Sequence, residues 1–225
     1  MSYISRWAQP MRLSFRSTLL LILVLHITFV SAAETTTSDI PTLPIAARVE
    51  LLRSYPSLKQ EAEVALGDLN GDGTADCATI FQYVADGTDQ NRIAVLYGQK
   101  DGRFVLAVQS APWEPHMRRL EYIGIEKTTI TITASSVGYT DYSGTAYRFV
   151  VREGRFVLAG LEYGEGEIGQ EEKLGISANF LTNQIEKSRM VHGHRKTSRM
   201  SLNGKYRIDL QNFNLAEATD GRELK

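Results

Sequence analysis

The chain has 225 residues, with 25 Lys and Arg against 26 Asp and Glu, a net charge of −1 at pH 7. That balance carries no overall footprint for nucleic acid or an anionic membrane. The only cysteine, Cys77, excludes an internal disulfide, so stability has to come from a core.

The first 33 residues read as a secretory signal peptide: Arg6, Arg12 and Arg16 precede an apolar run from Leu19 to Val30, and Ser31-Ala32-Ala33 supplies small residues for cleavage. The run is shorter than the ~18–20 apolar residues that span a bilayer, so no stable membrane insertion is expected after cleavage. Met1 and Met11 are both usable starts. Cleavage removes three arginines and no acid, which leaves a net charge of −4 and a periplasmic or secreted chain. Residues 34–43 read as a disordered Thr/Ser leader, 44–216 as a single β-rich domain, and 217–225 as a flexible tail. Oligomeric state is not legible.

After Pro44, the residues Ile45, Val49, Leu51 and Leu52 fit one face of a short helix that stops before Pro56. Almost everything beyond it is β. The expected strands are Glu63–Leu66, Cys77–Val84, Arg92–Tyr97, Arg103–Val108, Arg119–Ile123, Thr128–Thr133, Tyr147–Val151, Arg155–Ala159, Ile176–Leu181 and Gln184–Lys187. The fold class is therefore mainly β, with antiparallel hairpins in a sandwich- or partial-propeller-like arrangement and one short N-terminal helix.

Gly-Arg-Phe-Val-Leu-Ala occurs at 102–107 and again at 154–159, with a weaker copy around Gly204. The near-constant spacing suggests a repeated β-unit. Convergent hairpin chemistry is the other reading. The acidic, glycine-rich run Tyr163–Glu172 reads as a solvated loop, and His192-Gly193-His194 as a solvated turn in a basic stretch. Trp113, in a proline-bracketed loop, either covers the edge of the core or offers an aromatic contact to a partner.

The stretch with clear chemistry is Gly67-Asp68-Leu69-Asn70-Gly71-Asp72-Gly73-Thr74-Ala75-Asp76. Asp68, Asn70, Asp72 and Asp76 fall at loop positions 1, 3, 5 and 9. Gly73 occupies the sharp turn, and Thr74 stands where a backbone carbonyl reaches the ion in a calcium loop. Position 12 is Thr79 and the flanks are strands, so this is not an EF-hand. An Asx/Gly turn that binds no ion is the other reading of the same residues.

Val64-Ala-Leu-Gly-Asp-Leu-Asn-Gly-Asp-Gly-Thr-Ala-Asp76 resembles the calcium loop of FG-GAP and VCBS-type repeats. The likeness covers roughly residues 62–84, occurs once, and lacks the Phe-Gly…Gly-Ala-Pro portion. The resemblance implies Ca²⁺ held by Asp68, Asn70, Asp72, the Thr74 carbonyl and Asp76; the propeller is not carried over. The run from Tyr147 to Leu181 is also similar to stretches of uncharacterised secreted proteins of Gram-negative bacteria. No nucleophile elbow or phosphate loop is present. The expectation is an exported, non-enzymatic calcium-binding β-domain that recognises a protein or envelope component. The alternative is an exported hydrolase acting on cell-wall or glycan material, since a carboxylate pair is set by space and not by sequence.

Overall fold

The computed structural model describes residues 42–115, 119–170, 172–202, 208–215 and 218. The segment read from the sequence as a signal peptide, nearly all of the expected leader, most of the expected tail and residues 203–207 of the third hairpin copy lie outside these residues.

Helix α1 spans Ile45–Ser54. Pro44 enters it with its φ already near the helical value, and it ends where Tyr55 N–H bonds back to the Leu51 carbonyl at 2.7 Å, one residue before Pro56. The face expected from the sequence is corrected here. Ala47 and Leu51 are the buried pair, whereas Ile45 is 84% exposed and Val49 and Leu52 are also exposed. The sheet beneath is already tiled by Phe81, Tyr83 and Leu96, so only a narrow stripe of the helix meets it. That stripe is one alanine and one leucine wide, at i and i+4.

The strands form two antiparallel meanders. Strands β1 (Leu58–Gly67), β2 (Asp76–Ala85), β3 (Thr88–Gly98) and β4 (Phe104–Gln109) make a four-stranded sheet in sequence order. Strands β5 (Arg119–Glu126), β6 (Thr129–Val137), β7 (Asp141–Arg152), β8 (Arg155–Glu167), β9 (Glu172–Asn179), β10 (Gln184–Val191) and β11 (His194–Ser201) make a seven-stranded one. Among the described residues the mainly β, antiparallel class with one short α-helix is thus observed, and its arrangement is that of a sandwich.

Strand parity divides the four-stranded sheet between two cores. Cys77, Phe81 and Tyr83 of β2, with Ala94 and Leu96 of β3, face α1. Ala78, Ile80, Ile93 and Val95 face the other sheet. There they meet Ile130 and Ile132 of β6, Phe149 of β7 and Ile176 of β9. Leu210, Phe213 and Leu215 close this core, with Phe213 edge-on to both Tyr147 and Phe149. Trp113 is buried in it too, tied through its backbone to Asn91, so the structure assigns it to covering the core.

Among the described residues, three hairpins use two-residue turns with positive φ at both positions: Asp86-Gly87, Glu153-Gly154 and His192-Gly193. This geometry matches the twist of the flanking strands. The two identical Gly-Arg-Phe-Val-Leu-Ala copies occupy unlike places. Phe104, on the edge strand β4, packs against the helix-side core, while Phe156 of the interior strand β8 is buried between the sheets.

Two expectations are corrected. The run Tyr163–Glu167 is not a loop but the end of β8, with Tyr163 buried against Ile176 in the core. Its glycines sit on the opposite face. Ser135, Gly144, Gly164, Gly175, Ser188 and Thr197 form one row of small residues across β6 to β11. At Gly166, an added Cβ would stand 2.9 Å from the Tyr142 hydroxyl, because that ring lies over the glycine. Second, His194 is not part of the turn but opens strand β11. All eight of its residues are exposed, so it carries no apolar period to read.

Candidate cation loop

The loop 68–75 joins β1 to β2, whose register closes beneath it with Gly67 opposite Asp76 and Leu66 opposite Cys77. Its alternation of polar and apolar residues sets its shape. Leu69 is fully buried in the core between the sheets, while Asp68, Asn70 and Asp72 stay on the solvent side. Gly71 and Gly73 hold φ of 77° and 80°, with open space where a Cβ would point. Their role is therefore the left-handed backbone and not close packing.

The oxygens gather the loop's own amides. Asp68 Oδ1 accepts from Gly71 N–H at 2.7 Å and from Asp72 N–H at 3.2 Å, and its Oδ2 accepts from Gly73 N–H at 2.9 Å. Asn70 Oδ1 also accepts from Asp72 N–H, at 2.9 Å. Asn70 Nδ2 donates to Asp72 Oδ2 at 3.1 Å, and Asp72 Oδ1 accepts from Thr74 N–H at 2.7 Å. The Thr74 amide in particular holds the Asp72 carboxyl below the usual aspartate range. Asp68, Asn70 and Asp72 are thus drawn into one exposed turn.

Asp76 is placed differently. It is fully buried at the base of the loop, where Oδ2 accepts from Leu69 N–H at 2.8 Å and Oδ1 from Gly98 N–H at 2.9 Å. One carboxylate therefore ties the loop, the start of β2 and the end of β3. Burial raises its carboxyl above the ordinary value, against the opposing pull of the Leu69, Gly98 and Asn70 amides. Gly98 has to be glycine at this junction, because an added Cβ would fall 2.2 Å from the Ala75 carbonyl oxygen. The sequence reading missed Gly98, and no local spacing points to it.

Cys77 follows Asp76 and is fully buried. Burial, with Asp76 second, pushes its thiol up to about 12. Tyr97 is raised in the same order by burial and by Asp76.

The donor set comprises carboxylate, amide and carbonyl oxygens, the chemistry of a hard cation. A carboxylate oxygen holding one amide keeps a further lone pair. Among the described residues, no group of three or more His, Cys, Asp or Glu side chains is arranged to hold a metal. Asn70 and the Thr74 carbonyl stand outside those residue types. No helix of the described residues is long and apolar enough to cross a membrane.

No family model matches the chain, and neither a curated protein nor a solved structure does.

Proposed function

We propose that the chain is exported, loses its first 33 residues, and acts as a non-enzymatic binding module for a protein or envelope component, with a structural Ca²⁺ on the loop 68–76. The observation that supports this reading is the gathering of Asp68, Asn70 and Asp72 into one exposed turn over the buried Asp76 latch. The outer three side chains and the Thr74 carbonyl would hold the ion, with Asp76 facing it from the base.

The ion would neutralise Asp68 and Asp72, which otherwise repel one another across the turn. Extracellular-type sites bind with Kd of roughly 10⁻⁴–10⁻³ M. At about ten times Kd the ion adds ~1.4 kcal/mol to stability. For a domain of this size class that is a rise in Tm of about 3–6 °C.

The test is a thermal melt of the exported chain in EDTA and in calcium, beside Asp72→Ala. The expected result is a calcium-dependent rise of that order, absent in the variant. Equal melts for all samples would reduce the loop to a turn.

A further inference from the structure

Arg92 stands opposite Phe81 across the β2–β3 ladder, on the sheet face that carries α1. Its guanidinium is fixed from several directions. Nε donates to the Tyr83 hydroxyl at 3.0 Å, and Nη1 donates to the Ser110 carbonyl at 2.7 Å. Cζ lies 5.9 Å from the centre of the Tyr55 ring and 5.7 Å from that of Tyr83, within cation–π range. Tyr55 in turn donates its hydroxyl to Gln109 Oε1. Tyr55 and Tyr83 are both buried, so the group that orients Arg92 is itself held by packing.

Among the described residues, no acid pairs with Arg92. The acids on adjoining stretches are engaged elsewhere: Glu61 stands 3.2 Å from Arg48 Nε, and Asp89 accepts from Lys59 and Gln82. Arg92 Nη2 has no acceptor, and it is not one of the buried polar atoms left without a partner, so it reaches solvent. The Tyr83 hydroxyl accepts from Nε and keeps its own hydrogen, for which no described residue supplies an acceptor. In a guanidinium, Nε–H and one Nη2–H lie along the same edge. Two unoccupied donors, Nη2 and the Tyr83 hydroxyl, therefore meet at one point.

We infer that Arg92 and Tyr83 form a recognition site for a carboxylate group. A guanidinium oriented in advance loses little freedom on binding, which is how a rigid site gains affinity. Pinning the end of the sheet uses the two rings, Nε and Nη1, and leaves Nη2 without a role. Charge favours carboxylate over phosphate. One cation balances a monoanion, whereas a phosphate dianion would bring in a charge that nothing here answers. The C-terminus of α1, at Tyr55, adds a partial negative charge that weighs further against a dianion. The site lies towards the opposite end of β2 from the cation loop and does not depend on it; Asp76 and Tyr83 are 7 residues apart, about 23 Å along an extended strand.

The experiment is a titration of the exported chain with sodium acetate, followed by ¹H–¹⁵N NMR in calcium and again in EDTA. Sodium chloride holds the ionic strength constant, and sodium phosphate is the second titrant. The expected result is a saturable shift of the Arg92 Nε–H resonance and of the Ser110 and Ala111 amides, with a Kd of about 1–10 mM that EDTA leaves unchanged. Arg92→Gln, which removes the charge and Nη2, should abolish the saturable shift. The mapping is made on the unaltered chain, so it does not depend on that variant folding.

Absence of a saturable shift, shifts confined to residues elsewhere, or an unchanged Kd in a folded Arg92→Gln chain would overturn the inference. Phosphate binding more tightly than acetate would overturn the choice of carboxylate. Equal melts in calcium and EDTA with the acetate response kept would remove the cation loop and leave this site. An intact calcium response with no acetate response would do the reverse.

Discussion

Asp76→Asn tests the most specific feature of the loop. The side chain keeps its shape, and Oδ1 can still accept from Gly98 N–H, now 2.9 Å away. The other terminus becomes an NH₂ facing Leu69 N–H, where an oxygen now accepts at 2.8 Å. Two donors then confront each other in a fully buried site. A buried donor stripped of its acceptor costs about 1–3 kcal/mol. Removing a buried negative charge offsets part of this, since burial already disfavours that charge. The expected net loss is about 1–2 kcal/mol, or a fall in Tm of roughly 2–8 °C. It should be read in EDTA by circular dichroism, so that no ion contributes. Amide exchange supplies the local readout: Leu69 N–H should exchange much faster in the variant, and Gly98 N–H less so. An unchanged Tm with equal protection of Leu69 would refute the latch.

The pH dependence has opposite signs at the two aspartates. Asp72 is held below its ordinary value of 3.8, so its contribution is full above that pH and is lost as pH falls through its folded-state value. Asp76 is raised, so proton uptake there favours the fold, and its effect on stability is lost as pH rises through its folded value. Acid titration followed by melts should therefore show Asp72→Ala flattening the acid limb, whereas Asp76→Asn removes an opposing slope. Cys77, buried with its thiol at about 12, should resist a thiol reagent at pH 8 in the folded chain and react on unfolding. Rapid labelling without loss of structure would contradict that burial.

Much of the four-stranded sheet was legible because β2 and β3, buried on both faces, carry short apolar runs and its turns carry Gly. The Gly-Arg-Phe-Val-Leu-Ala copies at 102–107 and 154–159 each open on a positive-φ glycine at the turn of a hairpin that the structure contains. The loop was legible as a set of oxygens but not as two groups. Nothing in the spacing says that Asp76 is buried while Asp68 and Asp72 face water; that difference comes from β2 entering the sheet at Asp76 itself. Gly98 lies 22 residues beyond Asp76, and only tertiary pairing brings them together. The helix face failed because a sheet of large aromatics selects Ala47 for close approach over the bulkier Ile45 and Val49. Strand β8 was cut short because glycine is read locally as a breaker. Here it makes room for Tyr142 on the face away from the core.

The position of Leu69 limits what an ion can do. Its side chain is anchored in the core between the sheets and its N–H in Asp76, so the base of the loop is fixed by the fold. Only Asn70 to Thr74, on the solvent side, is left for a cation to order. Calcium at this site should therefore raise Tm by a few degrees and protect the outer amides, in contrast to metals whose removal unfolds a small domain. A chain that unfolded at 25 °C in EDTA would mean that the packing of Leu69 is a consequence of ion binding, and the order of dependence argued from these contacts would have to be reversed.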